Sequence, residues 1–275
     1  MSKAESPVTS ERGSPFYDAL GRVLERLGTS LQSFCPPCDT VARRVLEEYG
    51  AMFVAEGVRV PPVCVFGDAA EVHAFQREAT WRAAVFGDAT VELQPAALEA
   101  LVAAREDTRA LGLDITARGG AEAGRRGFDD SLRLWRSRCD PALEHWCARG
   151  ELTTEEAERL RGLGLREQVA AVLELEDRGV FFSKDLTKSI LYSVAAPGAS
   201  QHLAMLAFDA AEFRDARVRD VLARRGWFQT VRSDLPHFTF LGLTERELPA
   251  RGLRRVETDE QVFWIPNTKA VNRES

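Results

Sequence analysis

Hydrophobic residues recur every three or four positions through much of the first two thirds of the chain, which is the period of an amphipathic helix. One such segment opens at Asp39, a residue type that caps helix N-termini. Thr153 and Glu156 have the spacing of a capping box, which predicts another helix start. By these criteria we predict helices at residues 16–27, 39–57, 72–81, 95–112, 129–146, from 153 and at 166–177.

After Asp177 the pattern changes to short segments that are apolar or alternate between apolar and polar, which is typical of strands. A predicted helix at about residues 212–225, stopped by Gly226, interrupts these segments. Strands are predicted at residues 113–117, 180–182, 189–195, 203–210, 237–241 and 261–265. Helices followed by a late cluster of strands favour an α+β fold, with a small, mainly antiparallel sheet packed against helices.

This organisation divides the 275-residue chain into three regions. Residues 1–15 are polar and are predicted to form a disordered arm. Residues 16–88 are interpreted as a mostly helical N-terminal extension, in which 58–66 is extended and interrupted by two prolines. A clearer unit spans residues 89–270 and carries the predicted sheet.

Composition and charge exclude several classes of protein. Hydrophobic residues make up 45% of the chain and charged residues 28%, close to the average of folded globular proteins. The net charge of −6 makes the chain a poor candidate for binding nucleic acid through bulk charge. No apolar run approaches the roughly 18 residues of a membrane-spanning helix.

The N-terminal sequence and the cysteines favour the cytoplasm. The first residues lack the apolar central segment of a secretory signal. The five cysteines are odd in number and have no disulfide-framework spacing, as expected in a reducing compartment. A periplasmic or exported location is the alternative if a leader has been removed.

Three further motifs are assigned structural roles. Cys35-Pro-Pro-Cys38 has redox-motif spacing, but no predicted strand precedes it, so we expect a loop at a helix entry. The glycine-rich segment 119–124 matches no phosphate-binding motif, and a turn is expected there. A basic stretch is interpreted mainly as a solvated helix face, from which one or two guanidinium groups could meet a substrate carboxylate. It consists of Arg125, Arg126, Arg133, Arg136 and Arg138.

The chain has only four histidines, and two of them have surroundings that suit a metal site. His73 and His145 lie in amphipathic helical segments, where a surface or packed histidine is expected. His202 and His237 each begin a strand-like apolar run, with a carboxylate at short range along the chain. The residues alone also allow a plainer interpretation, in which two buried histidines have ordinary hydrogen-bond partners.

Asp209 ends the apolar stretch that follows His202, where a charge is costly unless something pairs with it. Two imidazoles and one carboxylate form the three-ligand set of a zinc site that keeps a fourth position for water. His202 and Asp209 are seven residues apart, roughly 23 Å in a straight strand. They can share one ion only if the chain turns or bulges after His202, with His237 arriving on a neighbouring strand.

Residues 200–209 read Ser-Gln-His-Leu-Ala-Met-Leu-Ala-Phe-Asp, and residues 234–237 read Asp-Leu-Pro-His. The first segment resembles the SxHxxGxAxD signature of the zinc D-alanyl-D-alanine carboxypeptidases and dipeptidases, and the second resembles their ExxH element. This family includes the vancomycin-resistance enzymes and is grouped with hedgehog- and lysostaphin-type metallopeptidases. The resemblance covers about residues 90–266 and is strongest from 197 to 242. The matching fixed positions of the signature are Ser200, His202, Ala207 and Asp209.

Carried over residue by residue, the resemblance implies one Zn²⁺ per chain, held by His202, Asp209 and His237. It implies Asp234 as the base that activates the zinc-bound water, and Ser200 as a group beside the ligands or the substrate. The implied activity is cleavage of short peptides that end in D-alanine, such as the stem peptides of peptidoglycan.

The resemblance also implies an upstream arginine that binds and polarises the substrate. Arg118, which follows the predicted strand 113–117, is the best positional match. Arg125 and Arg126 are its rivals.

Three positions depart from the family's pattern. Asp234 stands in place of the usual glutamate, Pro236 in place of tryptophan, and Met205 in place of glycine. The metal ligands are intact while their surroundings are altered, which fits a different substrate or a slower enzyme. A second hypothesis is a non-catalytic zinc-binding module that recognises peptidoglycan or a protein partner, and a third is a helical scaffold with two incidental histidines.

Overall fold

The computed structural model describes residues 13–36, 39–258 and 261–269, and the fold is α+β as predicted. The predicted arm at 1–15 lies largely outside the described residues, and α1 already begins at Pro15. Pro37 and Cys38 of the Cys-Pro-Pro-Cys motif also lie outside them. The helices are α1 (Pro15–Arg26), α2 (Leu31–Phe34), α3 (Thr40–Tyr49), α4 (Ala69–Ala79), α5 (Pro95–Ala110), α6 (Phe128–Ala148), α7 (Thr154–Gly162), α8 (Leu165–Glu176) and α9 (Ala216–Arg224).

Side-chain caps set several helix starts. Asp39 accepts a hydrogen bond from the Ala42 N–H at the start of α3, and Thr153 and Glu156 form the predicted capping box of α7. The structure differs most from the prediction at two ends. The helix that starts after Asp39 changes to a 3₁₀ turn over Gly50–Val54, and α9 begins at Ala216 because Asp215 caps it.

All strands of the described residues pair antiparallel. A three-stranded sheet has the order β3-β5-β4, and two hairpins, β1–β2 and β6–β7, complete the set. The turn of the first hairpin contains Gly87 and Asp88, so the predicted boundary at residue 88 falls inside it. The strands are β1 (Arg82–Phe86), β2 (Ala89–Leu93), β3 (Ala207–Asp209), β4 (Trp227–Phe228), β5 (His237–Phe240), β6 (Leu253–Thr258) and β7 (Gln261–Pro266).

Three predicted strands are wrong because side-chain carboxylates accept hydrogen bonds from their backbone N–H groups. At 113–117, carboxylates of Asp114 and Glu212 accept the N–H groups of residues 115 and 116, and the segment makes one isolated bridge, at residue 117. At 180–182 and 189–195, the carboxylate of Glu176 accepts from the backbone of both segments. Such local bonds compete with a sheet ladder. Strands β1, β2, β4 and β6 were not predicted.

The three-stranded sheet separates an aromatic core from the candidate site. Phe208 of β3 packs against Phe86 and Trp227, with ring centroids 5.5 and 6.4 Å apart. Because successive side chains of a strand point to opposite faces, Asp209 points the other way. Helix α9 packs on β4 and on α5 behind this core.

A tight turn replaces the first half of the predicted strand 203–210. Residues 201–205 form the turn, so β3 spans only Ala207–Asp209. Met205 closes the turn with φ +56°, in the left-handed region that costs an ordinary residue about 1–2 kcal/mol. This is the position at which the resembling signature has glycine, the residue that adopts this conformation without cost. The turn is also the one required for His202 and Asp209 to approach each other.

Substitutions at Met205 separate two effects on stability: the strain of its left-handed backbone and the packing of its side chain. Its side chain is fully buried, so removing it costs about 2–5 kcal/mol of stability. Met205→Gly also removes the left-handed strain, whereas Met205→Ala does not. We expect both variants to be destabilised in urea unfolding, with the glycine variant more stable than the alanine variant by about 1 kcal/mol. An alanine variant as stable as the glycine variant would contradict the strained turn.

Candidate metal centre

Three elements bring His202, Asp209 and His237 together. Asp209 and His237 are directly opposite each other in the β3–β5 register, and His202 arrives from the turn before β3. All three residues are buried, and one potential ligand atom from each lies within 4.8 Å of the other two. This buried group could hold a metal ion. The sequence-based expectation of a turn after His202 and a neighbouring strand for His237 is confirmed.

The proton of the His202 imidazole is placed by a backbone carbonyl. Its Nδ1 lies 2.6 Å from the carbonyl oxygen of Gly124, which can only accept, so Nδ1 carries the hydrogen. This approach requires glycine, because a Cβ at residue 124 would lie 2.7 Å from Val91 Cγ1 and 2.9 Å from the Glu92 carbonyl. The Nε2 atom of His202 is left buried without a hydrogen-bond partner. An orphaned imidazole nitrogen of this kind fits a metal ligand.

The His237 proton is placed by Gln201. The Gln201 Nε2 atom donates to the carbonyl of Tyr49 at 2.8 Å, which orients the amide so that Oε1 faces His237 Nε2 at 2.7 Å. The Thr239 hydroxyl also donates to Oε1. His237 therefore carries its hydrogen on Nε2, and its Nδ1 lone pair faces Asp209. Neutral histidine ligands are commonly oriented by such a bond from the other ring nitrogen.

The two distances from the Asp209 oxygen to the imidazole nitrogens match the edges of a metal tetrahedron. Asp209 Oδ1 lies 3.2 Å from His237 Nδ1 and 3.4 Å from His202 Nε2. Two ligands at about 2.0–2.1 Å from a tetrahedral ion are about 3.3–3.4 Å apart. The lone pairs of His202 Nε2 and His237 Nδ1 both face the negatively charged Asp209 Oδ1, which is a repulsive arrangement. A cation bound between the three atoms would stabilise it.

Charges around the group favour its ligand form. Burial lowers the pKa of His202 to about 4, and the positive charge of Arg126 adds to the effect, so the imidazole is neutral near pH 7. Asp209 Oδ2 lies 2.7 Å from an Nη atom of Arg126, which leaves Oδ1 for a metal.

A cavity of about 350 Å³ opens beside the ligands. Ser200 and Asp234 line it together with His202 and His237. No hydrogen bond to a described residue holds the carboxylate of Asp234 in the cavity wall. The surrounding protein raises the pKa of this carboxyl by removing hydration, and Asp209 adds to the rise, while His237 and the arginines oppose it.

Of the other predicted site residues, Ser200 lies next to the ligands and the arginines differ in position. The Ser200 hydroxyl accepts a long hydrogen bond, 3.4 Å, from the His202 N–H. Arg118 donates its backbone N–H to the Asp209 carbonyl at 2.8 Å, and its guanidinium lies 5.5 Å from the Phe213 ring centroid. Arg125 pairs with Glu92 away from the cavity. Arg126 is the member of this trio that lines the cavity.

Sequence reasoning missed the residues that orient the ligands. Gln201 occupies a variable position of the resembling signature, and its only signal was its place beside a predicted ligand. Gly124 was assigned to a turn, and nothing in the sequence indicated that its carbonyl would meet His202. Arg126 was considered for substrate binding rather than as the partner of Asp209. His73 and His145, which were predicted to lie on helices outside the metal site, are exposed on α4 and α6.

Comparison with protein-family models and with curated proteins finds no match for this chain. Among the described residues, none of the helices combines the length and apolar character that crossing a membrane requires.

Changing Gln201 tests the proton placement on His237. Gln201→Leu removes the acceptor for Nε2–H, and we expect a loss of 10–100-fold in Zn²⁺ affinity, the usual effect of losing such a partner. A chelator competition titration measures it. Gln168→Leu is the matched control, because Gln168 is a buried glutamine that bonds Trp135 away from the cavity. Equal zinc affinity in Gln201→Leu and the wild type would contradict this role.

Proposed function

We propose that this chain is a zinc-dependent peptidase that hydrolyses short peptides ending in D-alanyl-D-alanine. The observation that carries the proposal is the meeting of two oriented imidazole nitrogens and the Asp209 oxygen beside a cavity that also contains Asp234. Zinc suits this donor set, since two nitrogens and one carboxylate oxygen form a common catalytic zinc site. The resemblance to the D-alanyl-D-alanine carboxypeptidases supplies the substrate class.

Bound zinc supplies Lewis-acid polarisation of a carbonyl group and makes water acidic enough to react near neutral pH. In this proposal His202 and His237 donate lone pairs to it, while Gly124 and Gln201 keep the ring protons on the outer nitrogens. Asp234 takes a proton from the attacking water and later gives it to the leaving amine. The peptide C–N bond breaks, and the water oxygen stays on the new carboxylate.

Arg126 and Arg118 have separate roles in this proposal. Arg126 fixes the outer oxygen of Asp209, so that the carboxylate presents one oxygen to the ion. Arg118 does not line the cavity, so its proposed role of holding the terminal carboxylate of the peptide rests on the resemblance and on the fit of a planar guanidinium to a carboxylate. The cavity of about 350 Å³ is of a size for a short peptide segment.

A second candidate is a zinc-binding module without turnover that recognises peptidoglycan or a protein partner. It is favoured by the side chain of Asp234, which is one methylene shorter than glutamate and has no hydrogen bond to a described residue to orient it. A base misplaced by about 1 Å can cost on the order of 100-fold in rate. The two candidates share the metal site and differ in catalysis.

Metal content and hydrolysis test the first candidate together. We expect about one zinc per chain by elemental analysis, and release of D-alanine from an acetylated tripeptide ending in D-alanyl-D-alanine. Chelation should abolish release, and added Zn²⁺ should restore it. His202→Ala should lose both metal and activity, whereas the control His73→Ala, on exposed α4, should keep both. Full zinc loading with no release from this peptide would end the peptidase proposal.

Variants at residue 234 separate the enzyme from the binder. Asp234→Asn should lower kcat by at least 100-fold with zinc content unchanged, because it removes the base but no ligand. Asp234→Glu extends the carboxylate, and we expect kcat to rise if the native base falls short of its water. Rates that are the same in all three proteins would show that this carboxylate has no catalytic role and would favour the binding module.

A further inference from the structure

Arg138 projects from α6 into the wall of the same cavity that contains the metal ligands. The sequence placed it in a basic stretch interpreted mainly as a solvated helix face. In the structure it is half-buried, and Ser193 of the segment after the 3₁₀ turn Ile190–Tyr192 lies against it. The proposed chemistry at the metal does not use this residue.

The guanidinium of Arg138 is oriented by neutral groups only. Its Nε donates to Ser193 Oγ at 2.9 Å, and its Nη1 donates to Ser137 Oγ at 3.0 Å. Its Nη2 has no partner among the described residues, and no described carboxylate lies within ion-pair distance of the group. A partly buried cation without a counter-charge is unfavourable, so this arrangement suits an anion that is not part of the fold.

Most other charges of the cavity wall are already compensated. Glu122 is paired with Arg133 at 2.7 Å, and Arg126 is paired with Asp209 at the same distance. Asp234 is unpaired but negative and lies with the ligands. Arg138 is therefore the cation of this wall that is available to a ligand, as far as the described residues show.

The position of Arg138 sets how far the anion is from the metal. The start of α6 is tied to the site, because the Arg126 N–H donates to the His202 carbonyl at 3.3 Å. From Phe128 to Arg138 the helix rises about 15 Å, and side chains lean back toward the helix N-terminus, which shortens the span. An extended peptide covers about 3.3 Å per residue, so two to four residues bridge the distance.

We propose that Arg138 is a specificity-determining residue that binds a carboxylate carried by the peptide two to four residues from the bond that is cut. This inference rests on the proposed peptidase function for the nature of the ligand. Ser193 and Ser137 hold the guanidinium through Nε and Nη1, which leaves Nη2 to form a charge-assisted hydrogen bond with the carboxylate. The substrate class is thus an acidic peptide rather than a free dipeptide.

Matched peptides test this subsite. The probes are acetyl-Gly-Glu-D-Ala-D-Ala, acetyl-Glu-Gly-D-Ala-D-Ala and acetyl-Glu-Gly-Gly-D-Ala-D-Ala, each beside its glutamine counterpart. Binding is measured by calorimetry on the zinc-loaded full chain carrying Asp234→Asn, which prevents turnover, and hydrolysis is measured on the chain with Asp234. Arg138→Gln is compared with Arg136→Gln, which makes the same charge change at an exposed position of α6 outside the cavity wall.

We expect at least one glutamate peptide to bind about tenfold more tightly than its glutamine counterpart, as for a hydrogen bond to a charged group. Arg138→Gln should reduce that preference to less than twofold, and Arg136→Gln should keep it. Equal affinity within every pair, no binding of any probe, or a preference that survives Arg138→Gln would overturn the subsite. A glutamate preference that depends on Arg138 without any hydrolysis would support the subsite and reject the peptidase function.

Discussion

The buried carboxylate of Asp209 is the constraint on which the rest of the site depends. An isolated carboxylate in such surroundings is costly, so positive charge or hydrogen-bond donors must surround it. Arg126 compensates its outer oxygen, at 2.7 Å. The inner oxygen faces two imidazole nitrogens whose protons are held elsewhere, so it lacks a good donor within the fold. A cation bound between these three atoms satisfies the carboxylate and both imidazoles at once.

The groups that hydrogen-bond the two imidazoles determine which ring nitrogens can bind a metal ion. Gly124 and Gln201 fix the two imidazole tautomers, and each belongs to a different part of the chain from the ring that it orients. The β3–β5 register then sets Asp209 opposite His237 without any loop. Such a preorganised set of ligands suits catalysis or tight metal binding equally well. The choice between these two outcomes rests on groups at the cavity wall, above all on Asp234 and the arginines.

The sequence predicts the features that depend on local chemistry. Helix starts such as that at Thr153 follow from caps, and the candidate ligands follow from residue type and spacing together with the resemblance to the carboxypeptidase signature. The failures come from long-range contacts. The Glu176 carboxylate accepts hydrogen bonds from the backbone N–H groups of two segments that were predicted to be strands. Met205 adopts a left-handed conformation, which forms a turn in a segment that was predicted to be one straight strand. Gln201 and Arg126 contribute to the site through hydrogen bonds to residues that are distant along the chain. Periodicity and spacing in the sequence do not predict such contacts.

We propose that His202, Asp209 and His237 bind one divalent cation directly. A crystal structure of the zinc-soaked protein, with anomalous data collected on both sides of the zinc absorption edge, tests it without reference to activity. We expect one strong anomalous peak at about 2.0–2.2 Å from His202 Nε2, Asp209 Oδ1 and His237 Nδ1. A zinc-soaked crystal with no peak between these atoms, or with a peak bound through the opposite ring nitrogens, would contradict it.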